Sequence, residues 1–125
     1  MSPNDPQAVT EGVHLPPGSW WDWEVITCDP ARLVLGAGHD LTYHHDLELV
    51  FQDPTFIACP TSFQDPVFRP PTPEESATVT ANLGDPPPVL VAFEADAGGP
   101  TPTTCLIAAE TVHVVTGPVP RRPAL

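Results

Sequence analysis

The densest concentration of side chains able to bind metal or move protons is Gly38-His39-Asp40-Leu41-Thr42-Tyr43-His44-His45-Asp46, with three imidazoles and two carboxylates inside eight residues. Imidazole and carboxylate groups held convergently bind divalent metals, which makes His39, His44, His45 and Asp46 the candidate ligands of a small metal- or ligand-binding β-barrel. The spacing weighs against it. In an extended segment His39, Tyr43 and His45 share one face while Asp40, His44 and Asp46 share the other, so three histidines converge only if the chain turns. His14 and His113 are the remaining imidazoles, and there is no HExxH or HxH pattern. The plainer reading places these polar residues in water at a loop and a strand edge.

Thiol chemistry is the next possibility. Cys28, Cys59 and Cys105 are an odd number at wide spacing, which matches neither a disulfide framework nor paired CxxC zinc knuckles. Reduced thiols in a cytosol are expected, each a small buried hydrophobe, and none stands at a helix N-terminus that would activate it. GxSxG, P-loop and GxGxxG patterns are absent. No catalytic residue and no cofactor is therefore assigned, and the chain leans away from being an enzyme.

Charge carries more information. Nine Asp and seven Glu face only Arg32, Arg69, Arg121 and Arg122, with no lysine anywhere, for a formal net charge of −12. Nucleic acid and anionic membrane surfaces are excluded as natural partners, because both are held by clustered Lys and Arg. A basic protein is the electrostatically favoured partner, though acidity also simply aids solubility. The oligomeric state is not legible. Trp20, Trp21 and Trp23 lie within four residues, and alternation sends Trp21 and Trp23 to the core while Trp20 shares the opposite face with Asp22 and Glu24. An indole ringed by carboxylates is a suitable anchor for a basic surface, so the partner-binding candidates are Trp20, Asp22, Glu24, Asp46 and Glu48.

These residues need a scaffold, and the hydrophobic pattern predicts a β-rich one. The 125 residues suit one domain. Residues 1 to 18 read as a flexible arm, 19 to 117 as the domain and 118 to 125 as a frayed tail. Nineteen prolines shorten every element. Strands are predicted around Trp20 to Cys28, Arg32 to Leu35, Leu47 to Phe51, Thr55 to Cys59, Val67 and Phe68, and Val89 to Phe93. The last, Cys105 to Thr116, would set Leu106, Ala108, Val112 and Val114 on one face, interrupted by Glu110. Thr72-Pro73-Glu74-Glu75 predicts a short helix with an N-cap hydroxyl and a capping box. The fold class is mainly β: an antiparallel sandwich or curled barrel of six or seven short strands with at most one short helix. Gln52-Asp53-Pro54-Thr55-Phe56 recurs twelve residues later as Gln64-Asp65-Pro66-Val67-Phe68, a repeated turn signal.

The block from Leu41 to Arg69, with Asp-Leu-Glu-Leu-Val-Phe, Phe-Ile-Ala-Cys-Pro and Asp-Pro-Val-Phe-Arg, together with the later Leu-Ile-Ala-Ala-Glu-Thr-Val-His-Val, resembles small bacterial all-β proteins. Some of these are immunity proteins of polymorphic toxin systems. The resemblance implies a cytoplasmic protein that neutralises a toxin by binding it, and it transfers no functional residue. There is no basic n-region followed by an apolar run near the start and no long apolar stretch. A cytoplasmic address is the expectation.

Overall fold

The computed structural model describes Leu15, residues 20–38 and residues 44–120, with residues 44–46 and 117–120 described by backbone alone. Eight strands and one helix follow the order β1 Asp22–Cys28, β2 Arg32–Gly38, β3 His44–Gln52, β4 Phe56–Ala58, β5 Ser62–Arg69, α1 Pro73–Leu83, β6 Val89–Asp96, β7 Thr103–Ala109 and β8 Thr111–Pro120. All strands join one antiparallel sheet in the order β4-β7-β6-β5-β1-β2-β3-β8. The fold is mainly β with a single helix, as the alternating pattern predicts.

The sheet is open, for its edge strands β4 and β8 do not pair, yet it curls until its two ends meet. β3 passes into β4 through residues 53–55, and β7 passes into β8 through Glu110 alone. At these bends Glu110 N–H donates to Gln52 O (3.0 Å) and Thr55 N–H donates to Ala108 O (2.8 Å). Two long bent segments therefore run antiparallel along their whole length, pairing as β3 with β8 and as β4 with β7. The curl gives the sheet an interior. Trp23, Leu33, Leu35, Leu47, Leu49, Phe51, Phe63, Val91, Phe93, Cys105, Ile107 and Val112 pack there as one cluster.

The bend at Glu110 divides the last predicted strand in two, giving eight strands where the pattern predicts six or seven, and it corrects the face assignment of that segment. Cys105, Ile107 and Ala109 point inward before the bend, and Val112 and Val114 after it, so one residue shifts the phase of alternation. Leu106 and Ala108 instead meet Val79 and Leu83 of α1 on the outside of the sheet. The helix thus covers the outer face of β4, β6 and β7.

The repeated Gln-Asp-Pro has one backbone form in both copies. Asp53 and Asp65 are the described non-glycine residues with positive φ, 49° and 50°. In the first copy the left-handed residue turns β3 into β4. In the second it makes an irregularity between Gln64 and Val67 against β6, which lets β5 run through Pro66 from Ser62 to Arg69. The sequence pattern shows only the shorter stretch around Val67, because proline ordinarily ends a paired strand. Aspartate tolerates this conformation better than branched residues do.

α1 begins as its sequence requires: Thr72 Oγ1 accepts from Glu75 N–H (3.1 Å), and Glu75 Oε1 accepts from Thr72 N–H (2.8 Å). Gly84 ends it with φ 89°. Arg69, the last residue of β5, ties this cap to the sheet. Its Nη1 and Nη2 meet Glu75 Oε1 and Oε2 at 2.7 and 2.8 Å, and Nη2 also meets Glu94 Oε2 at 2.8 Å. Bidentate geometry strengthens such a pair. The hydrogen bond from Arg69, followed by that from Thr72 N–H, holds the Glu75 carboxyl down at about 2, below its ordinary value of 4.5.

A group whose folded pKa is depressed contributes stability above its unfolded pKa and loses it as pH falls toward the folded value. The Glu75 contribution is complete above pH 4.5 and disappears on descent toward about 2. Acid titration followed by circular dichroism should show a stability loss across this window, with Arg69→Met flattening it and lowering stability at neutral pH by about 1–3 kcal/mol. Urea unfolding should likewise show Asp65→Val losing about 1–2 kcal/mol while Asp65→Asn stays near wild type. Equal losses in both would disconnect the effect from the left-handed backbone.

Candidate functional site

β1 alternates Trp23 inward with Asp22 and Glu24 outward, and register fixes what surrounds those carboxylates. Glu24 lies between Ser62 of β5 and Gly36 of β2, and Gly36 lies beside Glu48 of β3. Asp22 pairs with Gln64, which pairs on its other side with Asp96 of β6. Gln64 Nε2 donates to Asp22 Oδ1 at 3.1 Å. Carboxylates from β1, β3 and β6 thus occupy one outer face, away from the helix-covered side. Glu24 and Glu48 are half-buried there and both have further interactions.

At the β6 end of this face, Asp65, Val67, Glu94, Asp96, Gly99 and Pro100 line an open groove of about 340 Å³. The irregular turn at Asp65-Pro66 pushes Val67 outward, leaving it 65% exposed. Glu94 Oε2 is oriented by Arg69 and by Thr104 Oγ1 (3.4 Å), and Asp96 Oδ1 accepts from Gly98 N–H (2.8 Å). The groove has acidic walls and an apolar valine side. A basic side chain with its solvating water suits it, for the carboxylates meet the charge and Val67 the aliphatic stem.

The tryptophans depart from simple alternation. Trp23 is fully buried, stacked on Phe63 at 5.9 Å and tilted against Phe68 at 5.7 Å, and its Nε1–H donates to Trp20 O at 2.7 Å. Trp20 packs partly buried against the core and is not an outward anchor, while Trp21, expected inside, is 44% exposed. Asp65 N–H donates to Trp21 O at 2.8 Å, which holds Trp21 just outside the first paired residue, Asp22. Trp20 takes the inward place. The backbone of the exposed Trp21 is therefore bonded to Asp65, a neighbourhood that linear alternation could not reveal because Asp65 arrives from another strand.

The side chains of the histidine cluster lie outside the described residues. His39 lies outside them, and His44, His45 and Asp46 are described by backbone alone, as the first residues of β3, with a register shift between His45 and Leu47. Among the described residues no group of three or more His, Cys, Asp and Glu is placed to hold a metal. His113 is exposed on β8. The proposed arm over residues 1 to 18 also lies outside the described residues, apart from Leu15, which packs against the core. β8 continues to Pro120, past the expected domain limit at residue 117. No helix among the described residues is long and apolar enough to cross a membrane. The chain matches no family model, no curated protein and no solved structure.

The acidic setting of Trp21 can be read in solution. Cationic caesium should quench its fluorescence more steeply than anionic iodide at low ionic strength, and the difference should shrink at about 1 M salt, where screening acts within about 3 Å. Trp21→Phe should remove most of the accessible signal. Equal quenching by the two ions would contradict the assigned surroundings.

Proposed function

We propose that this protein is a non-enzymatic, cytoplasmic interaction module that binds a basic protein through the acidic outer face of β1, β3, β5 and β6. The placement of Asp22, Glu24, Glu48 and Asp96 on one outer face, with Asp65 beside Asp96 in the groove and bonded to the backbone of the exposed Trp21, carries the reading. Clustered carboxylates raise the encounter rate of a cationic partner and reject anionic ones, while a desolvated indole at the centre supplies affinity. A guanidinium or ammonium group resting on Trp21 gains further from its ring. The groove at Val67 supports the same reading by offering one basic side chain a defined seat.

Neutralisation of a basic toxin is one concrete form of such binding and agrees with the resemblance to immunity proteins. A toxin reading frame beside the gene would support it. The direct test is affinity capture from the native host with wild type and with a Glu24→Gln, Asp65→Asn, Asp96→Asn variant, isosteres that keep shape and remove charge. A partner rich in Lys and Arg should be retained at low salt, released at about 1 M salt and retained at least tenfold less by the variant, whose melting temperature should match wild type. Retention indifferent to both salt and variant would refute the reading.

A further inference from the structure

The three cysteines are far apart in sequence, but the curl of the sheet brings two of them together. β4 pairs with β7 as Phe56 with Ala108, Ile57 with Ile107 and Ala58 with Leu106. One further step in this register sets Cys59 opposite Cys105. Both side chains face inward: Cys105 is a buried member of the core, and Cys59 is half-buried and packed against it. The two thiols lie close enough to influence each other's ionisation. Cys59 Sγ lies 3.2 Å from Pro60 O, and Cys105 Sγ lies 3.7 Å from Thr103 O. Directly opposed residues of an antiparallel pair have Cα atoms about 4.5–5.5 Å apart, inside the range a disulfide spans.

We propose that Cys59 and Cys105 form a reversible cross-strand disulfide that locks the β4 edge of the curled sheet when the protein meets a small-molecule disulfide oxidant. β4 is where such a lock has most to do. It holds three residue pairs, the fewest of any described strand, and its own Ile57 is 40% exposed. A short edge strand opens more readily than the rest of its sheet. A covalent bond at Cys59 would hold the seam where β3–β4 meets β7–β8.

The exchange balances with an oxidant such as oxidised glutathione. Cys59, the more accessible of the pair, attacks one oxidant sulfur, loses its proton and releases one glutathione thiol, leaving a mixed disulfide. The Cys105 sulfur then attacks Cys59 Sγ, loses its proton and releases the second glutathione. Two protein thiols are oxidised and one glutathione disulfide is reduced to two thiols. The side-chain interaction with Cys105, followed by burial, holds the Cys59 thiol well above the ordinary thiol range. The first step is accordingly slow at neutral pH and accelerates as pH rises.

Cys28 supplies the internal control, for it is exposed at the end of β1. The full-length chain would be equilibrated with excess oxidised glutathione, remaining thiols alkylated, and the protein cut at Asp and Glu without reduction. Asp65, Glu74, Glu75, Asp85, Glu94 and Asp96 all separate Cys59 from Cys105, so a linked peptide pair is diagnostic. The expected result is a Cys59–Cys105 peptide in monomeric wild type and in Cys28→Ser, with a melting temperature roughly 5–15 °C above that of the reduced protein. Cys59→Ser, reached from the half-buried side, should fold, form no intramolecular link and show no such redox-dependent shift. Full alkylation of all three thiols, linkage through Cys28, or a link without any rise in melting temperature would overturn the proposal.

Discussion

An open sheet whose single described helix packs on its outer side has to cover its inner apolar face itself, and this protein does so by bending two strand pairs at matched points. The left-handed Asp53 and the single residue Glu110 stand side by side across the ladder, joined by the Glu110 N–H to Gln52 O bond. Without those bends, Leu47, Leu49 and Phe51 on one half of the sheet and Val91, Phe93 and Ile107 on the other would face water. With them, residues from strands at opposite ends of the sheet share one core. Burying apolar surface is the main favourable term in folding, so the bends carry most of the tertiary structure with them.

The middle of the curl is filled by aromatic rings. Trp23 from β1, Phe63 and Phe68 from β5, and Phe93 from β6 form a continuous set of contacts, the closest 4.8 Å between Phe68 and Phe93. Phe68 reaches this set only because the irregularity at Asp65-Pro66 resets the phase of β5 after Phe63. The same irregularity turns Val67 outward and opens the acidic groove. Packing inside and shape outside thus depend on one turn. Arg69 links them further, since its guanidinium bridges the helix cap at Glu75 and the groove wall at Glu94.

Charge is distributed according to what the fold leaves uncovered. The helix shields the outer face of β4, β6 and β7 through Val79, Leu83, Leu90 and Ala108, and that side needs apolar residues. Among the described residues no helix packs on the outer face of β1, where Asp22 and Glu24 alternate with inward residues. In a chain without lysine, such a face keeps a strong negative potential that selects cationic partners over anionic ones. Acidity is a bulk property of the composition. A localised acidic surface arises only because antiparallel register lines up Asp96, Gln64 and Asp22, and Glu24, Gly36 and Glu48.

Local chemistry was sufficient to determine the β-rich class, the Thr72 capping box, the turn after Cys28 and the inward positions of Leu47, Leu49 and Phe51, since these depend on neighbours a few residues away. It also determined the net charge. The exchange of Trp20 for Trp21 was not legible, because it depends on a hydrogen bond from Asp65, far along the chain. Nor was the phase change at Glu110, where the apolar pattern runs on through Ala108, Ala109 and Val112 while the backbone turns beneath it. The meeting of Cys59 and Cys105 is the clearest case. Their spacing in sequence carries no sign of proximity, and only the closing of β4 against β7 decides it, because register between distant strands is set by the packing of the whole sheet.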